Sequence, residues 1–390
     1  MIHNYLGITA DTLASAKCCN YAGYDKFDAL NSPLLERLSL GNAWIRFFIT
    51  QAVCRVPINV RPLLLVKASR NPKGIALFSR AYLWLYQKTG DTSYLEESTT
   101  LLKWLNTHRC IGYQRACWGY NHIWQSIPPF VQFPGTPNLV TTVFAGESFL
   151  HGYRVSGRLE FLDAAHESAL FITQDLPVLA DACDERAIGY ILGPQSHIVL
   201  NVQVLAGAFL VKVWKHTHEK ELLDTAVKLL TFTVNRRTSF DSWDYSFPAE
   251  KYHGVDNYHT GGIVDGLLEY FEETGDDRFL DIYWKAVDYY RKALFESNGA
   301  PRWMNNQKYP HDVHGAAQGI ISFVKAAKHK PEYLSLAHTI ADWSIANLYR
   351  PKTRDFMYRQ GRFLNWNFSL MRWCNAWMAR ALAELINDGQ

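Results

Sequence analysis

The chain has no excess of charge of either sign: 40 lysines and arginines stand against 37 aspartates and glutamates in 390 residues, a net charge of +3. A surface so balanced excludes a protein that grips nucleic acid by bulk electrostatics. Glycine (24) and proline (15) are sparse beside 48% hydrophobic residues, which excludes a low-complexity chain and leaves ample material for a core. No apolar run approaches the ~20 residues that span a bilayer. The longest, residues 198–214, is broken by Asn201, Gln203 and Lys212. The first twenty residues have neither the basic nor the apolar region of a secretory signal. The seven cysteines are an odd number, scattered without a disulfide spacing, so a reduced, cytoplasmic protein is expected. GxGxxG, P-loop and GxSxG motifs are all missing. Cys110, Cys117 and His122 have a spacing unlike common zinc sites, so neither a metal nor another cofactor is expected.

What the sequence does have is repetition. A helical run, a short turn and a second run recur over residues 76–109, 143–176, 202–237, 261–295 and 315–349. In the fourth copy Phe279, Leu280, Tyr283, Trp284, Val287, Tyr290 and Leu294 follow the i, i+3/i+4 rule with charges between them, the pattern of an outer helix. The run before it, Ile263 to Tyr270, is more apolar and reads as an inner helix packed on several sides. Gly90, Gly157 and Gly275 fall where a helix end needs the left-handed conformation, Ser93 with Glu96 reads as a capping box, and Pro331 suits a first helical turn. A last helix, 372–387, would pair with one at 34–53 to make a sixth hairpin. The expected fold is all-α, an (α/α)6 toroid: a single domain over residues 34–390 after an N-terminal arm, 1–33. Asn-Pro-Lys-Gly at 71–74 reads as ordinary turn chemistry. Asp276, Asp277 and Asp281, superficially like a diphosphate-binding aspartate motif, fall in a short turn on the wrong rim and suit a helix N-terminus better.

Topology puts the long connections on one rim, with the N-termini of the inner helices, whose dipoles favour an anionic ligand. These segments hold Trp118, Tyr120, His122, Trp124 and Gln125, then His197, then Trp243, Asp244, His253, Asp256, Tyr258 and His259. Further on come Tyr309, Asp312, His314 and Gln318, and finally Tyr358, Arg362, Arg372 and Trp373. Aromatic faces stack on sugar rings, carboxylates and imidazoles supply acid and base, and arginines bind carboxylates, so the mixture suits an acidic carbohydrate. Each has a plainer reading beside it: the aromatic residues plug the core, and Asp312 caps a helix. The candidate catalytic residues are Tyr258, His259, Asp312, His314, Asp244 and Asp256, and the others would bind substrate.

The stretch 257–303, NYHTGGIVDGLLEYFEETGDDRFLDIYWKAVDYYRKALFESNGAPRW, resembles the helical C-terminal domain of D-glucuronyl C5-epimerases. KYPHDVHGAAQGI, MRWCNAWMARALAEL, NPKGIALFSRAYLWLYQKTGD and CWGYNHIWQS are similar to stand-alone toroid proteins encoded with exopolysaccharide-biosynthesis genes, so the likeness covers about residues 60–387. The resemblance implies action on a polysaccharide or its lipid- or nucleotide-linked precursor, with association to other polysaccharide-biosynthesis proteins. The β-rich segments that precede the helical domain in the epimerases have no counterpart here. A C5-epimerase or lyase would use Tyr258 or His259 as base, Arg372 or Arg362 to neutralise the enolate, and His314 or Tyr309 on the opposite ring face. A glycoside hydrolase would draw on Asp244, Asp256 and Asp312. The alternative is a non-catalytic glycan-binding subunit of a biosynthetic complex.

Overall fold

The three glycines expected to end helices do so with φ of 73°, 71° and 74° at Gly90, Gly157 and Gly275. Glycine takes this conformation without strain, and the short turns follow from it. The computed structural model describes residues 4–249 and 254–388; His253 lies outside them. In chain order the helices are α1 (Tyr5–Cys18), α2 (Pro33–Leu38), α3 (Ala43–Arg55), α4 (Pro72–Thr89), α5 (Thr92–Thr107), α6 (Leu139–Ser156) and α7 (Leu159–Leu170). They continue with α8 (Leu200–Thr217), α9 (Lys220–Val234), α10 (Asn257–Thr274), α11 (Leu280–Leu294), α12 (Val313–Ala327), α13 (Glu332–Leu348) and α14 (Trp377–Asp388). Strands among the described residues are only two to four residues long and lie on the connections.

Helices α4, α6, α8, α10, α12 and α14 each pack on the next, and α14 returns to α4, closing an inner ring. Helices α5, α7, α9, α11 and α13 wrap outside, each on its hairpin partner, and α5, α7 and α13 also touch the next inner helix, α6, α8 and α14. Burial tracks this division. Helix α12 is buried without interruption from Val313 to Ala326, whereas α11 buries only Tyr283, Ala286, Val287, Tyr290 and Leu294. Each large apolar side chain so buried contributes about 1.5–3 kcal/mol. The protein is thus an all-α (α/α)6 toroid.

Two details differ from expectation. Asp91, rather than Ser93, caps α5, accepting from the Ser93 N–H at 2.9 Å. The outer helix of the sixth hairpin is α1, not the 34–53 segment: α1 lies on α14, Tyr5 donates its hydroxyl to Asp342 at 2.5 Å and its ring stacks on His338. Helix α1 buries Thr9, Thr12, Leu13 and Ala16, a face of small and polar residues that does not announce itself as a core face. Residues 34–55 instead form α2 and α3, and α3 borders the central cavity with Phe47, Gln51, Cys54 and Arg55.

If α1 is part of the wall, truncating Leu13, 1% exposed, opens a cavity in the core. L13A is expected to lower the unfolding free energy by about 2–5 kcal/mol, measured by urea denaturation; an unchanged midpoint would mean that α1 is dispensable.

Candidate active site

Four of the connections end in side-chain caps on inner helices: Asn71 on α4, Asn138 on α6, Asp256 on α10 and Asp312 on α12. This fixes one rim as the rim of inner-helix N-termini. Beneath it is a cavity of about 550 Å³, with walls of Tyr120, Trp124, Phe144, Tyr190, Trp303 and Trp373. Gly262 of α10 keeps it open. A Cβ there would meet nothing nearer than Asn201 Nδ2 at 4.0 Å, so the glycine leaves space for a ligand rather than for packing.

Asp256 holds α10 and its first histidine together. One carboxylate oxygen accepts from the His259 backbone N–H at 2.9 Å and the other takes Nδ1–H of the same residue at 2.5 Å. A carboxylate partner on Nδ1 puts the lone pair on Nε2. Asp312 does comparable work on α12: it accepts from the His314 N–H at 2.9 Å, Trp373 Nε1 at 2.9 Å and Arg359 Nε at 2.6 Å. The short ladder pairing Arg359 with Asp312 sets up this last contact. Between these two N-termini, the Tyr258 ring stacks on His314 at 4.6 Å and 12° and meets Trp373 edge-on. Burial, reinforced by Asp256 and Asp312, pushes the Tyr258 phenol well above its ordinary range, so it stays protonated. Burial, together with Lys73 and Arg372, holds His314 well below its ordinary range and therefore neutral. Its Nδ1 is buried without a hydrogen-bond partner.

Besides Lys325, which pairs with Glu269, two lysines line the cavity. Lys26 Nζ sits 3.9 Å from the Trp373 ring centroid and 4.9 Å from that of Phe27. Lys73 Nζ lies 4.0 Å from the Phe144 ring centroid. Neither makes a salt bridge, although Arg372 beside them grips Asp25 with two nitrogens. Burial, and then the charge of Arg359, lower Lys26 to about 8; burial and Arg372 lower Lys73 well below the ordinary lysine range. Aromatic faces return part of the lost solvation of a cation, but not its charge balance. A bound anion would.

The floor is a chain of buried ion pairs. Glu147 of α6 binds Arg80 of α4 at 2.5 Å and Lys212 of α8 at 2.6 Å. Glu269 of α10 binds Lys212 at 2.8 Å and Lys325 of α12 at 2.6 Å. Burial alone would raise Glu269, but Lys212 and Lys325 overcome it and hold the carboxyl at about 2. Asp265, one turn before Glu269, behaves oppositely. Burial raises its carboxyl in spite of Lys325, and Oδ1 has no hydrogen-bond partner while Oδ2 accepts from Gln318 at 3.0 Å.

Of the residues singled out in the sequence, Tyr258, His259, His314, Tyr120, Trp124, His197, Gln318, Arg372 and Trp373 line the cavity. Asp256 and Asp312 support it from behind. The others stand elsewhere. Trp118 and Trp243 are core plugs whose Nε1 groups bond Leu105 O and Thr233 O at 2.9 and 2.8 Å, completing the ends of α5 and α9. Gln125 donates to Phe130 O at 2.7 Å, bracing its own loop. His122 is 1% exposed and stacks on the back of Tyr120. Tyr358 is buried against Phe368, Tyr309 packs on His311, and Arg362 is exposed over Phe363. Asp244 does not line the cavity. Lys26, Lys73 and Asp265 went unnoticed: Lys26 lies in the supposed arm and Lys73 in a supposed turn. A lysine at the second position of a strongly apolar inner helix was the available signal.

No family model and no curated protein matches the chain. Solved structures do. A sugar epimerase from a ruminal bacterium superposes with a TM-score of 0.65 at 12% identity, over 82% of this chain and 88% of that one. A GH76 α-mannanase from Bacteroides thetaiotaomicron gives 0.63 at 13% identity, over 81% and 86%. An unsaturated glucuronyl hydrolase specific for heparin gives 0.60 at 12%, over 83% and 87%. At such identities the likeness establishes the six-hairpin toroid, a fold these carbohydrate-active enzymes share, and no single reaction.

Lys212 joins the carboxylates of two neighbouring inner helices. Replacing it (K212M) leaves both short of a buried cation, and a loss of about 3–5 kcal/mol in unfolding free energy is expected by urea denaturation. A change under about 1 kcal/mol would show that the floor is not an essential joint.

Proposed function

We propose that this protein is a carbohydrate-active enzyme of polysaccharide metabolism that takes an acidic, uronic-acid-containing glycan and moves the proton at C5, as a C5-epimerase or lyase. The observation that carries the reading is the placing of the Asp256–His259 dyad on an aromatic cavity that also holds Lys26 and Lys73 without carboxylate partners. Each element matches one demand of the chemistry. Aromatic walls accept the sugar face. The lysines pair with the uronate carboxylate and stabilise the charge that builds on it as C5 loses its proton. His259 Nε2 is the base, its imidazolium stabilised by Asp256. Tyr258, kept as a phenol, is a proton donor rather than the base. Return of a proton to the opposite face of C5 gives the epimer; expulsion of the 4-oxygen substituent gives the unsaturated product.

The geometry disfavours the hydrolase drawn from Asp244, Asp256 and Asp312. Asp256 and Asp312 have both oxygens engaged and Asp244 is off the cavity. The resemblance to glucuronyl C5-epimerases and to exopolysaccharide proteins favours the same substrate class.

Incubation with uronic-acid oligosaccharides in D2O, read by proton NMR and by the absorbance of unsaturated uronates, tests this. Deuterium at C5 is expected for an epimerase and rising absorbance for a lyase. H259Q is expected to lower kcat by about 10²–10⁴-fold. K26M is expected to raise KM about tenfold or more through loss of a charge-assisted contact. Binding without exchange or elimination would assign the glycan-binding role instead, and a new reducing end alone would assign hydrolysis.

A further inference from the structure

The cavity mouth carries a surface that the glycan chemistry does not use. Residues 34–67 hold five basic side chains, Arg37, Arg46, Arg55, Arg61 and Lys67, against a single acidic one, Glu36. Of these, Arg46 pairs with Glu36 and Arg61 with Asp28. Arg37, Arg55 and Lys67 are exposed and make no ion pair. A chain whose overall charge is nearly balanced thus concentrates unpaired cations in one segment.

The same segment exposes its apolar side chains. Leu40 is 83% exposed, Phe48 63% and Leu63 82%, and Trp44, beside Phe48, is half-exposed. On α3 the outward positions Trp44, Ile45, Phe48 and Arg55 recur at helical spacing, while the opposite side seats Val53 and Cys54 in the fold. The patch extends beyond α3. The hairpin whose tip holds Phe363, 85% exposed and under the Arg362 guanidinium, is tied to α3 by Trp366 Nε1 donating to Arg55 O at 3.1 Å. The surface also borders the site, because Phe47, Gln51 and Arg55 of α3 line the cavity. Scattered exposed leucines need no explanation, but a helix that turns Trp44, Ile45 and Phe48 outward together, in a segment with three unpaired cations, does.

We infer that α3 and the 359–366 hairpin form an interfacial docking surface for an anionic lipid bilayer, seating the protein with its cavity mouth toward the headgroups. Tryptophan and phenylalanine on one helix face, with unpaired arginine and lysine in the same segment, are the marks of a protein that lies on an anionic bilayer. This placing lets the site work on glycan held at a membrane surface. It is independent of the reaction assigned above.

The test uses the full chain with phosphatidylcholine vesicles containing or lacking phosphatidylglycerol, read by co-sedimentation, with light scattering reporting oligomeric state. Binding at least tenfold tighter to the anionic vesicles, weakened at high salt, is expected. The double variant W44S/F48S is expected to lose vesicle binding about tenfold or more, with unchanged circular dichroism and turnover of soluble oligosaccharide. R37Q/K67Q should weaken only the anionic preference. Equal binding to both vesicle types, no binding to either, or retention by W44S/F48S would overturn the inference. So would a wild-type dimer that W44S/F48S converts to monomer, which would assign the surface to a second copy of this chain.

Discussion

A chain of ion pairs buried around the toroid axis ties five successive inner helices, α4 to α12, each to the next: Arg80 to Glu147, Glu147 to Lys212, Lys212 to Glu269, Glu269 to Lys325. Taking such groups out of water costs several kcal/mol per ion, repaid only where every charge has a well-placed partner. Arg380 and Glu384 complete the set on α14. With Asp265 the floor numbers four basic and four acidic side chains. A small shift of α6, α8 or α10 would break a pair on each side, so the belt fixes their registers and, with them, the positions of the side chains one or two turns above.

Above the belt the balance ends. Asp25 and Asp312 are taken up by Arg372 and Arg359, which leaves the amines of Lys26 and Lys73 buried without acids. The cavity is therefore neutral at the bottom and cationic at the rim, where helix N-termini add partial positive charge. Economy of construction is visible in the caps. Asp256 and Asp312 each satisfy an inner-helix N–H while holding a group beside the cavity, so helix stability and site geometry rest on the same carboxylates. Capping and the placing of a cavity side chain, which compete as explanations when only residue types are known, are here two bonds of one side chain.

The hairpins were legible in the sequence because their period, their glycine stops and the contrast between Ile263–Tyr270 and the amphipathic run after it all pointed the same way. Closure of the ring was not. Helix α1 offers Thr9, Thr12 and Ala16 to the core, a weak signal, while 34–53 looks like a core helix because its apolar residues remain on the outside. Trp118 and Trp243 misled for a related reason. An aromatic residue in a long connection looks available to a sugar, yet both reach back to the carbonyls that end the preceding outer helix, Leu105 and Thr233. Tyr258, His259 and His314 were legible through the topology alone, since the first turns of the inner helices border the funnel. Lys26 was not, because its place depends on the 24–28 segment folding over the rim.

The central claim is that Lys26 and Lys73 await the carboxylate of a sugar, and proton linkage on binding reads it directly. Burial leaves Lys26 at about 8, so a carboxylate that pairs with it must pull its proton affinity back up, and the complex takes up protons near that pH. Calorimetric titration of a uronic-acid oligosaccharide at pH 8, in two buffers of different ionisation enthalpy, is expected to give uptake of roughly half a proton or more per site, lost in K26M. Binding with no proton uptake, or equally tight binding of the neutral, carboxyl-reduced oligosaccharide, would contradict the account.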